Sequence, residues 1–352
     1  MARRARSGGI VAAVAIVVLA VGVAGSTAGS TGTSAVPAGY TGVEAKLPTA
    51  YKTPVKKAGV ACKIGFQNPI AANEFLGFLQ KAVVAEGKRY GCTVITLDDA
   101  LSPDKQVSNM QQLLAQKVGA IIFYPLDPKA TTPVLKQAQK QQVPVIAIDA
   151  SFGSTKRVPL IATQVWQGRD TQAYLQAQAL AKAKPNAQLG LIGIGIPVPA
   201  IKYLTQRQAF WAKKAGATIV GSQDNPSDDV TGGEKAANAL LQRNSSIDAV
   251  IGYNDPSAIG TVVAARSAGR EITIIGLNGS SDGIEATKTG RLAATVQVDP
   301  IGIGVQTARG AYSLITKQNL PLPGIVLRPG SLVTKANVGN VPSWDAQLKG
   351  VK

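Results

Sequence analysis

Short apolar runs alternate with amphipathic segments along the chain from Val60 onward. The first run, Ala61–Gln67, is followed by a segment whose apolar side chains recur at the i, i+3, i+4, i+7 and i+8 spacing of one helix face. That face consists of Phe75, Phe78, Leu79, Ala82 and Val83. Strands and helices that alternate in this way predict parallel sheets with helices packed on both faces.

A connector at Phe152–Arg157 divides the alternation into two series, which predicts two lobes of similar construction. In the first series the expected strands are Ala61–Gln67, Thr93–Leu97, Ala120–Phe123 and Val145–Asp149. In the second series they are Leu189–Gly193, Thr218–Val220, Ala249–Tyr253 and Thr273–Gly276. In the tail we expect a strand at Ala293–Gln297, a helix at Ile303–Thr316 and a strand at Ile325–Leu327. We therefore predict an α/β fold of two Rossmann-like, doubly wound parallel-sheet lobes, with a tail that passes back between them.

The first 28 residues have the pattern of an export signal. Basic residues at positions 3, 4 and 6 precede the apolar run Ile10–Ala24, and Ser26–Ala28 supplies small residues for cleavage. An uncleaved anchor is the alternative, although the run is shorter than the roughly 20 residues that span a bilayer. We expect an exported protein that is periplasmic, held at the cell surface or secreted. Residues 29–58 are rich in Gly, Ser, Thr, Pro and Ala without apolar periodicity, which predicts a flexible spacer.

Cys62 and Cys92 each open a predicted strand. Outside the cytoplasm, in an oxidising compartment, a pair of cysteines is expected to form a disulfide. If the two strands are neighbours in a parallel sheet, the two Cα atoms lie within disulfide range. We therefore predict a Cys62–Cys92 disulfide.

The chain contains no histidine, which excludes Ser-His-Asp and Cys-His nucleophilic catalysis. Without histidine, two cysteines cannot complete a zinc site of four nitrogen or sulfur ligands, and we expect neither a metal nor a cofactor. The formal net charge of +17 comes from Lys and Arg residues scattered through the predicted helices. We expect this charge to attract an anionic cell envelope and not to bind nucleic acid.

Hydrogen-bonding side chains stand at the ends of several predicted strands. Asn73 follows the first strand, Asp149 ends the fourth, and Asn254 and Asn278 follow two strands of the second series. Ligands of open parallel sheets bind outside these carboxyl ends. A carboxylate accepts hydroxyl hydrogens and a guanidinium donates to oxygen atoms, so Asp149 and Arg207 on opposite lobes suit a polyhydroxylated ligand.

Several segments, in their order and spacing, resemble the sugar-binding type I periplasmic binding proteins, especially the ribose-binding group. These segments are VPVIAID at 143–149, R-x-x-F-W at 207–211, AVIGYND at 249–255, IIGLNGSSDG at 274–283 and RLAATVQVDPIGIG at 291–304. The resemblance implies two lobes joined by a three-strand hinge, whose cleft closes on a monosaccharide and presents it to the permease of an ABC transporter. It also implies a monomer with a first lobe of residues 59–163 plus 299–324 and a second lobe of residues 164–298 plus 325–345.

The resemblance also supplies candidate cleft residues. Direct matches to the family's cleft motifs are Asn73, Phe75, Asp149, Arg207 and Asn254. Phe152, Trp166 and Tyr203 are candidates to replace aromatic side chains that the family has and this chain lacks. The complete predicted ligand-binding set is Asn73, Phe75, Leu76, Asp149, Phe152, Trp166, Tyr203, Arg207, Ser227, Asn254, Asn278 and Gln297.

Some members of this set depart from the family's pattern. Leu76 and Ser227 occupy positions where the family has aromatic residues, and Asn278 replaces an aspartate. Ala150 replaces an arginine, and Gln297 lies one position from the expected hinge glutamine. These departures imply a sugar or polyol ligand that need not be ribose.

The expected function is binding and not catalysis. Ser102-x-x-Lys105 and Lys288–Gly290 resemble motifs of penicillin-interacting enzymes, but Ser102 precedes a proline where a helix cap is expected. A glycoside-acting enzyme is an alternative, because that chemistry requires only two carboxylates. A second alternative is a sensing protein that binds its ligand in the same cleft and docks to a membrane receptor.

Asp255, which precedes Pro256, is expected to cap a helix.

Overall fold

The structure, a computed structural model, describes residues 35–152 and 156–351. The predicted export signal, residues 1–28, lies outside the described residues. Within the described ranges, no helix is long and apolar enough to cross a membrane.

The strands of the described residues form two six-stranded sheets. The first sheet has the order β11-β5-β4-β3-β1-β2, and all of its pairings are parallel. Its strands are β1 (Lys63–Asn68), β2 (Thr93–Asp98), β3 (Ala120–Phe123), β4 (Val145–Ile148), β5 (Thr163–Trp166) and β11 (Gly324–Val326).

The second sheet has the order β12-β10-β9-β8-β6-β7. Its pairings are parallel except for β10 with β12, which run antiparallel. Its strands are β6 (Gln188–Ile194), β7 (Thr218–Asn225), β8 (Ala249–Gly252), β9 (Thr273–Asn278), β10 (Ala294–Gln297) and β12 (Ser331–Thr334). The two sheets confirm the predicted α/β fold with two doubly wound lobes.

Helices cover both faces of each sheet. The first lobe carries α1 (Glu74–Arg89), α2 (Pro103–Ala115), α3 (Pro128–Lys140) and α9 (Pro300–Ile315). The second lobe carries α4 (Arg169–Ala183), α5 (Pro199–Lys214), α6 (Val230–Arg243), α7 (Asp255–Ser267) and α8 (Ser281–Lys288). A final helix, α10 (Trp344–Lys349), packs on α1 and α9. The predicted apolar face of α1 is buried along its whole length, which confirms the periodicity argument.

The described chain passes between the two sheets three times, after β5, after β10 and after β11. These crossings form the three-strand hinge. All of β5 and β11 belongs to the first sheet, so the crossings fall a few residues later than the expected breaks at 163/164 and 324/325. The short strands β5 and β12 and the helices α8 and α10 were not among the predicted elements, because each is too short to show a clear period.

Residues 40–51 pack against the two lobes. This packing contradicts the prediction of a flexible spacer for that part of residues 29–58. Tyr40 and Tyr51 are buried, and so is the carboxylate of Glu44, at 6% exposure. The reason is local, because isolated aromatic and acidic residues find partners on the lobes without giving the segment any period. We call residues 40–51 the strap.

The strap contacts both lobes at the hinge. Glu44 accepts hydrogen bonds from the backbone N–H groups of Asp170 (3.0 Å) and Thr171 (2.9 Å), at the start of α4 in the second lobe. The Tyr51 backbone N–H donates to Gln306 of α9 in the first lobe (2.9 Å). Arg328, on the third crossing, donates to the Glu44 carbonyl (2.8 Å). The strap therefore holds three parts of the hinge region together.

The predicted Cys62–Cys92 disulfide is present, with Cα atoms 4.5 Å apart. The two cysteines directly precede β1 and β2, and the Thr93 N–H donates to the Cys62 carbonyl (2.9 Å). Because β1 and β2 are neighbours in parallel register, the bridge joins the starts of two strands that the sheet already pairs.

Candidate ligand-binding site

A cavity lies between the lobes, at the carboxyl ends of both sheets, where the open-sheet rule places a ligand. It is lined by Pro69, Asn73, Phe75, Leu76, Leu101, Tyr124, Leu126, Arg169, Ile194, Val198, Ile201, Asp228, Tyr253, Asn254 and Asn278. The empty volume, including the mouth, is about 540 Å³. Small molecules commonly bind in clefts at this position of open α/β sheets.

Asp228 is the centre of one polar cluster in this cavity. Its carboxylate accepts hydrogen bonds from Nδ2 of Asn254 (2.7 Å), from Nδ2 of Asn73 (3.0 Å) and from the Tyr253 hydroxyl. Asn73 belongs to the first lobe and Asp228 to the second, so the cluster joins the two walls of the cleft. Burial raises the pKa of Asp228 to about 6, although the hydrogen bonds oppose this rise.

Both amides of this cluster also cap helices. Asn73 Oδ1 accepts from the Leu76 N–H at the start of α1 (3.2 Å), and Asn254 Oδ1 accepts from the Ser257 N–H at the start of α7 (2.9 Å). Because each oxygen is committed to its helix, each NH2 group points at Asp228. The α7 cap is therefore Asn254, and the prediction that Asp255 caps this helix is wrong. The Asp255 carboxylate instead accepts from the Ser280 N–H at the start of α8 (2.8 Å).

Arg169 is the centre of a second cluster. Its Nε donates to Asp149 Oδ2 (3.0 Å), its Nη2 to the Tyr124 hydroxyl (2.8 Å) and its Nη1 to Gln172 Oε1 (3.1 Å). Asp149 is 1% exposed and also accepts from the Gln167 N–H (2.8 Å), and it does not line the cavity. Asp149 thus holds Arg169 in place. Arg169 brings a guanidinium to the cavity wall, whereas position 150, where the family has an arginine, is an alanine in this chain.

The structure does not bring Asp149 and Arg207 together as expected. Arg207 instead donates from Nε to Asp170 Oδ1 (2.5 Å), and its guanidinium lies 4.0 Å from the ring centre of Phe210. Trp211 Nε1 donates to the same Asp170 oxygen (2.6 Å). Arg207 therefore lies outside the cavity lining and supports the start of α4.

The aromatic candidates also lie outside the lining. Phe152 and Tyr203 stack on each other across the lobes, with ring centres 4.8 Å apart and planes inclined by 18°. Trp166 is buried, and its Nε1 donates to the Ser151 carbonyl (2.5 Å). These three side chains stabilise the closed lobes or the end of β5.

Ser227 and Gln297 of the predicted set likewise have other partners. The Ser227 hydroxyl is exposed and donates to Asp229 Oδ1 (2.8 Å). Gln297 Nε2 donates to the carbonyl of Pro342 in the C-terminal tail (3.0 Å). The lining does include Asn73, Phe75, Leu76, Asn254 and Asn278 from the predicted set.

Four polar residues of the lining were not predicted: Tyr124, Arg169, Asp228 and Tyr253. Tyr124 and Tyr253 directly follow β3 and β8, so the strand-end rule applied to aromatic hydroxyls finds them. Asp228 follows β7, whose polar second half conceals its true end at Asn225. Arg169 follows β5, a strand that the sequence does not reveal.

Several residues around the cavity have left-handed backbone, which costs energy for residues other than glycine. The φ angles are 56° at Leu101, 56° at Asp149, 60° at Asp228 and 123° at Asn278. Strain of this kind persists where the surrounding contacts determine the backbone fully. The cavity is therefore built from fixed positions.

Two doubly wound lobes, three hinge crossings and a cavity at the strand ends define a two-lobed binding protein of the α/β class. The chain belongs to the periplasmic binding protein domain family, whose model matches residues 64–319. This family consists of solute-binding proteins and not enzymes, so the chain has a solute-binding role outside the cytoplasm.

Individual relatives agree with this assignment. The ribose import binding protein of Bacillus subtilis is 29% identical over 253 residues, which cover 72% of this chain and 81% of the relative. A solute-binding protein from Bacillus halodurans with bound myo-inositol has a TM-score of 0.73 at 21% identity, covering 83% of this chain and 100% of that one. The arabinose-binding component from Shewanella sp. ANA-3, bound to L-arabinofuranose, has a TM-score of 0.70 at 23% identity, covering 79% and 93%. Both solved structures are similar to this chain in fold.

Proposed function

We propose that the protein captures a sugar or polyol in the cavity between its lobes and delivers it, as a monomer, to an ABC importer. The observation that carries the proposal is the polar lining shared by the lobes, in which Asn73 and Tyr124 come from the first lobe and Asp228 and Tyr253 from the second. The relatives support the ligand class, because one is a ribose import binding protein and the two solved structures contain bound myo-inositol and bound L-arabinofuranose.

The two clusters offer complementary chemistry. The Asp228 carboxylate accepts a ligand hydroxyl hydrogen, and the Arg169 guanidinium donates to ligand oxygens. Both kinds of partner reach one ligand only when the lobes are closed. Binding and closure are therefore the same event, and closed lobes are the form that the importer recognises.

Calorimetric titration of Asp228→Asn tests this proposal. Asparagine keeps the size of the side chain but loses the acceptor charge, so affinity for the sugar or polyol that binds the natural protein falls by about 10- to 100-fold. Asp224→Asn is the matched control, because Asp224 is an exposed carboxylate on the same strand end. Equal affinities in all three proteins place the ligand elsewhere and overturn the proposed site.

Delivery is tested in cells whose importer depends on the protein. Uptake of the labelled ligand is expected to stop when the protein is deleted and to return when the natural protein is restored. If uptake is unaffected while a downstream response to the ligand disappears, the protein serves a sensor and not an importer.

A further inference from the structure

The cavity that we propose as the ligand site has a large aliphatic part. Leucine and isoleucine or valine side chains line it from both lobes: Leu76, Leu101 and Leu126 from the first, and Ile194, Val198 and Ile201 from the second. These side chains offer no hydrogen bond. A ligand hydroxyl placed against them loses its water partners without compensation, which is unfavourable.

The polar groups of the lining are already largely committed to each other. The Asn73 and Asn254 amides are used by helix caps and by Asp228, and the Tyr253 hydroxyl donates to Asp228. Arg169 uses three of its N–H groups on protein partners.

Only part of the hydrogen-bonding capacity of the lining is left for a ligand. Arg169 keeps two of its five N–H donors, and Asn73 and Asn254 each keep one N–H of their amide groups. Asp228 keeps one acceptor direction of about four. The Asn278 amide has no hydrogen-bond partner among the described residues, although it lines the cavity. This set matches two or three ligand hydroxyls.

The aliphatic part is held by the backbone. Ala100 and Leu101 are consecutive residues with left-handed φ angles of 49° and 56°. The Leu101 N–H donates to the Pro69 carbonyl (2.7 Å), and the Ala100 N–H donates to Asp98 Oδ1 (2.9 Å). Leu101 is therefore fixed against the cavity at the cost of local strain.

We propose that the ligand is a deoxygenated sugar or polyol, with hydroxyl groups along one edge and a methyl or methylene group on the opposite edge. This inference rests on the proposed function. The hydroxyl edge contacts Arg169, Asp228 and Asn278, and the apolar edge contacts Leu101, Val198 and Ile201.

Matched ligand pairs test this by calorimetry. Each pair differs by one hydroxyl: L-fucose with L-galactose, L-rhamnose with L-mannose, and 2-deoxy-D-ribose with D-ribose. We expect at least one deoxy ligand to bind roughly 10- to 100-fold more tightly than its partner. The inference is overturned if the hydroxylated member binds as well or better in every pair. If no sugar or polyol binds at all, the proposed function fails as well.

A substitution at Leu101 tests which part of the cavity contacts the apolar edge of the ligand. Leu101→Asn adds hydrogen-bonding capacity where we place the apolar edge, and asparagine tolerates the left-handed backbone of this position. Its preference for the deoxy ligand is expected to shrink by about 10-fold. Leu160→Asn is the matched control, because Leu160 is also left-handed (φ 68°) and lies outside the cavity lining. An unchanged preference in Leu101→Asn contradicts the assignment of the wall.

Discussion

At the scale of single residues, the site depends on charges that are buried together. Arg169 and Asp149 form an ion pair in which both side chains are almost inaccessible, with 6% and 0% of the side chain exposed. Removing one partner of such a pair leaves the other charge without compensation, whereas an exposed pair contributes little.

Asp149→Asn is therefore expected to lower the free energy of unfolding by about 3 kcal/mol and to weaken ligand binding, because Arg169 loses its anchor. Urea unfolding and calorimetry measure the two effects. Glu285→Gln removes the exposed Lys288–Glu285 pair and is expected to change stability by less than about 1 kcal/mol. Equal effects from the two substitutions contradict the role given to Asp149.

Because its pKa is raised, Asp228 is expected to make both stability and ligand binding depend on pH. Its folded pKa of about 6 lies above the ordinary value of 3.8, so the folded protein takes up a proton more readily than the unfolded chain. The charge thus opposes folding above pH 6, and this opposition disappears as the pH falls from 6 towards 4. Ligand binding changes in the opposite direction, because protonated Asp228 accepts hydroxyl hydrogens poorly.

Affinity is therefore expected to fall between pH 7 and pH 5 while the Asp228 contribution to stability rises. Calorimetry and thermal unfolding across this range check both trends. Asp228→Asn loses the pH dependence that belongs to this group, and an unchanged profile in that variant assigns the titration to another carboxyl. Asp99 and Asp255, whose pKa values are also raised to about 6 by burial, then become the candidates.

At the scale of elements, the strap has its main effect on the start of α4. The Glu44 carboxylate accepts from the first backbone N–H groups of this helix and from the Thr171 hydroxyl (2.7 Å), and the Tyr40 hydroxyl donates to Asp170 (2.9 Å). A negative group is favourable at a helix N-terminus, and Arg169 is the first residue of this helix. The strap thus positions a residue of the cavity.

Glu44→Gln is expected to destabilise the protein by about 1 to 3 kcal/mol and to weaken ligand binding, because an amide cannot accept all of these hydrogen bonds. Chemical unfolding and calorimetry measure the two changes. Glu271→Gln, on an exposed residue, is the control. Loss of stability with full affinity for the ligand restricts the strap to a structural role.

The long elements were predictable, since burial of one helix face or one complete strand leaves a period in the sequence. This was true of α1 and of β3, whose predicted bounds Ala120–Phe123 are those of the structure. The site was predictable where a polar side chain directly follows such a strand or caps the next helix, as at Asn73 and Asn254. It was not predictable at Arg169, because β5 has four residues and no period, nor at Arg207, whose partner depends on how α4 and α5 pack.

At the scale of the whole molecule, closure is stabilised by contacts between the lobes outside the cavity. Glu74, at the start of α1, accepts from the backbone N–H (3.1 Å) and the hydroxyl (2.5 Å) of Ser281, at the start of α8. Together with the Phe152–Tyr203 stack, this contact favours the closed form without a ligand. The balance between open and closed forms therefore depends on residues that never contact the ligand.

Glu74→Gln is expected to raise the radius of gyration of the ligand-free protein and to weaken binding by less than about 10-fold, since only the closing equilibrium changes. Small-angle X-ray scattering with and without ligand measures the opening. Ser281→Ala removes the hydroxyl hydrogen bond of this contact and keeps the backbone N–H bond, and its effect is smaller in the Glu74→Gln background than in the natural protein if the two groups act as a pair. Additive effects exclude the contact between Glu74 and Ser281 as the cause.

The C-terminal tail places Trp344 behind the cavity wall. Its ring centre lies 5.9 Å from that of Phe75, which lines the cavity, and its Nε1 donates to the Val298 carbonyl (3.2 Å) at the second hinge crossing. Tryptophan emission depends on the polarity and motion of its surroundings, and this indole touches both the cavity wall and the hinge. The molecule therefore contains its own optical probe, and replacing Trp166 and Trp211 by phenylalanine converts it into a label-free sensor for the sugar or polyol that it binds.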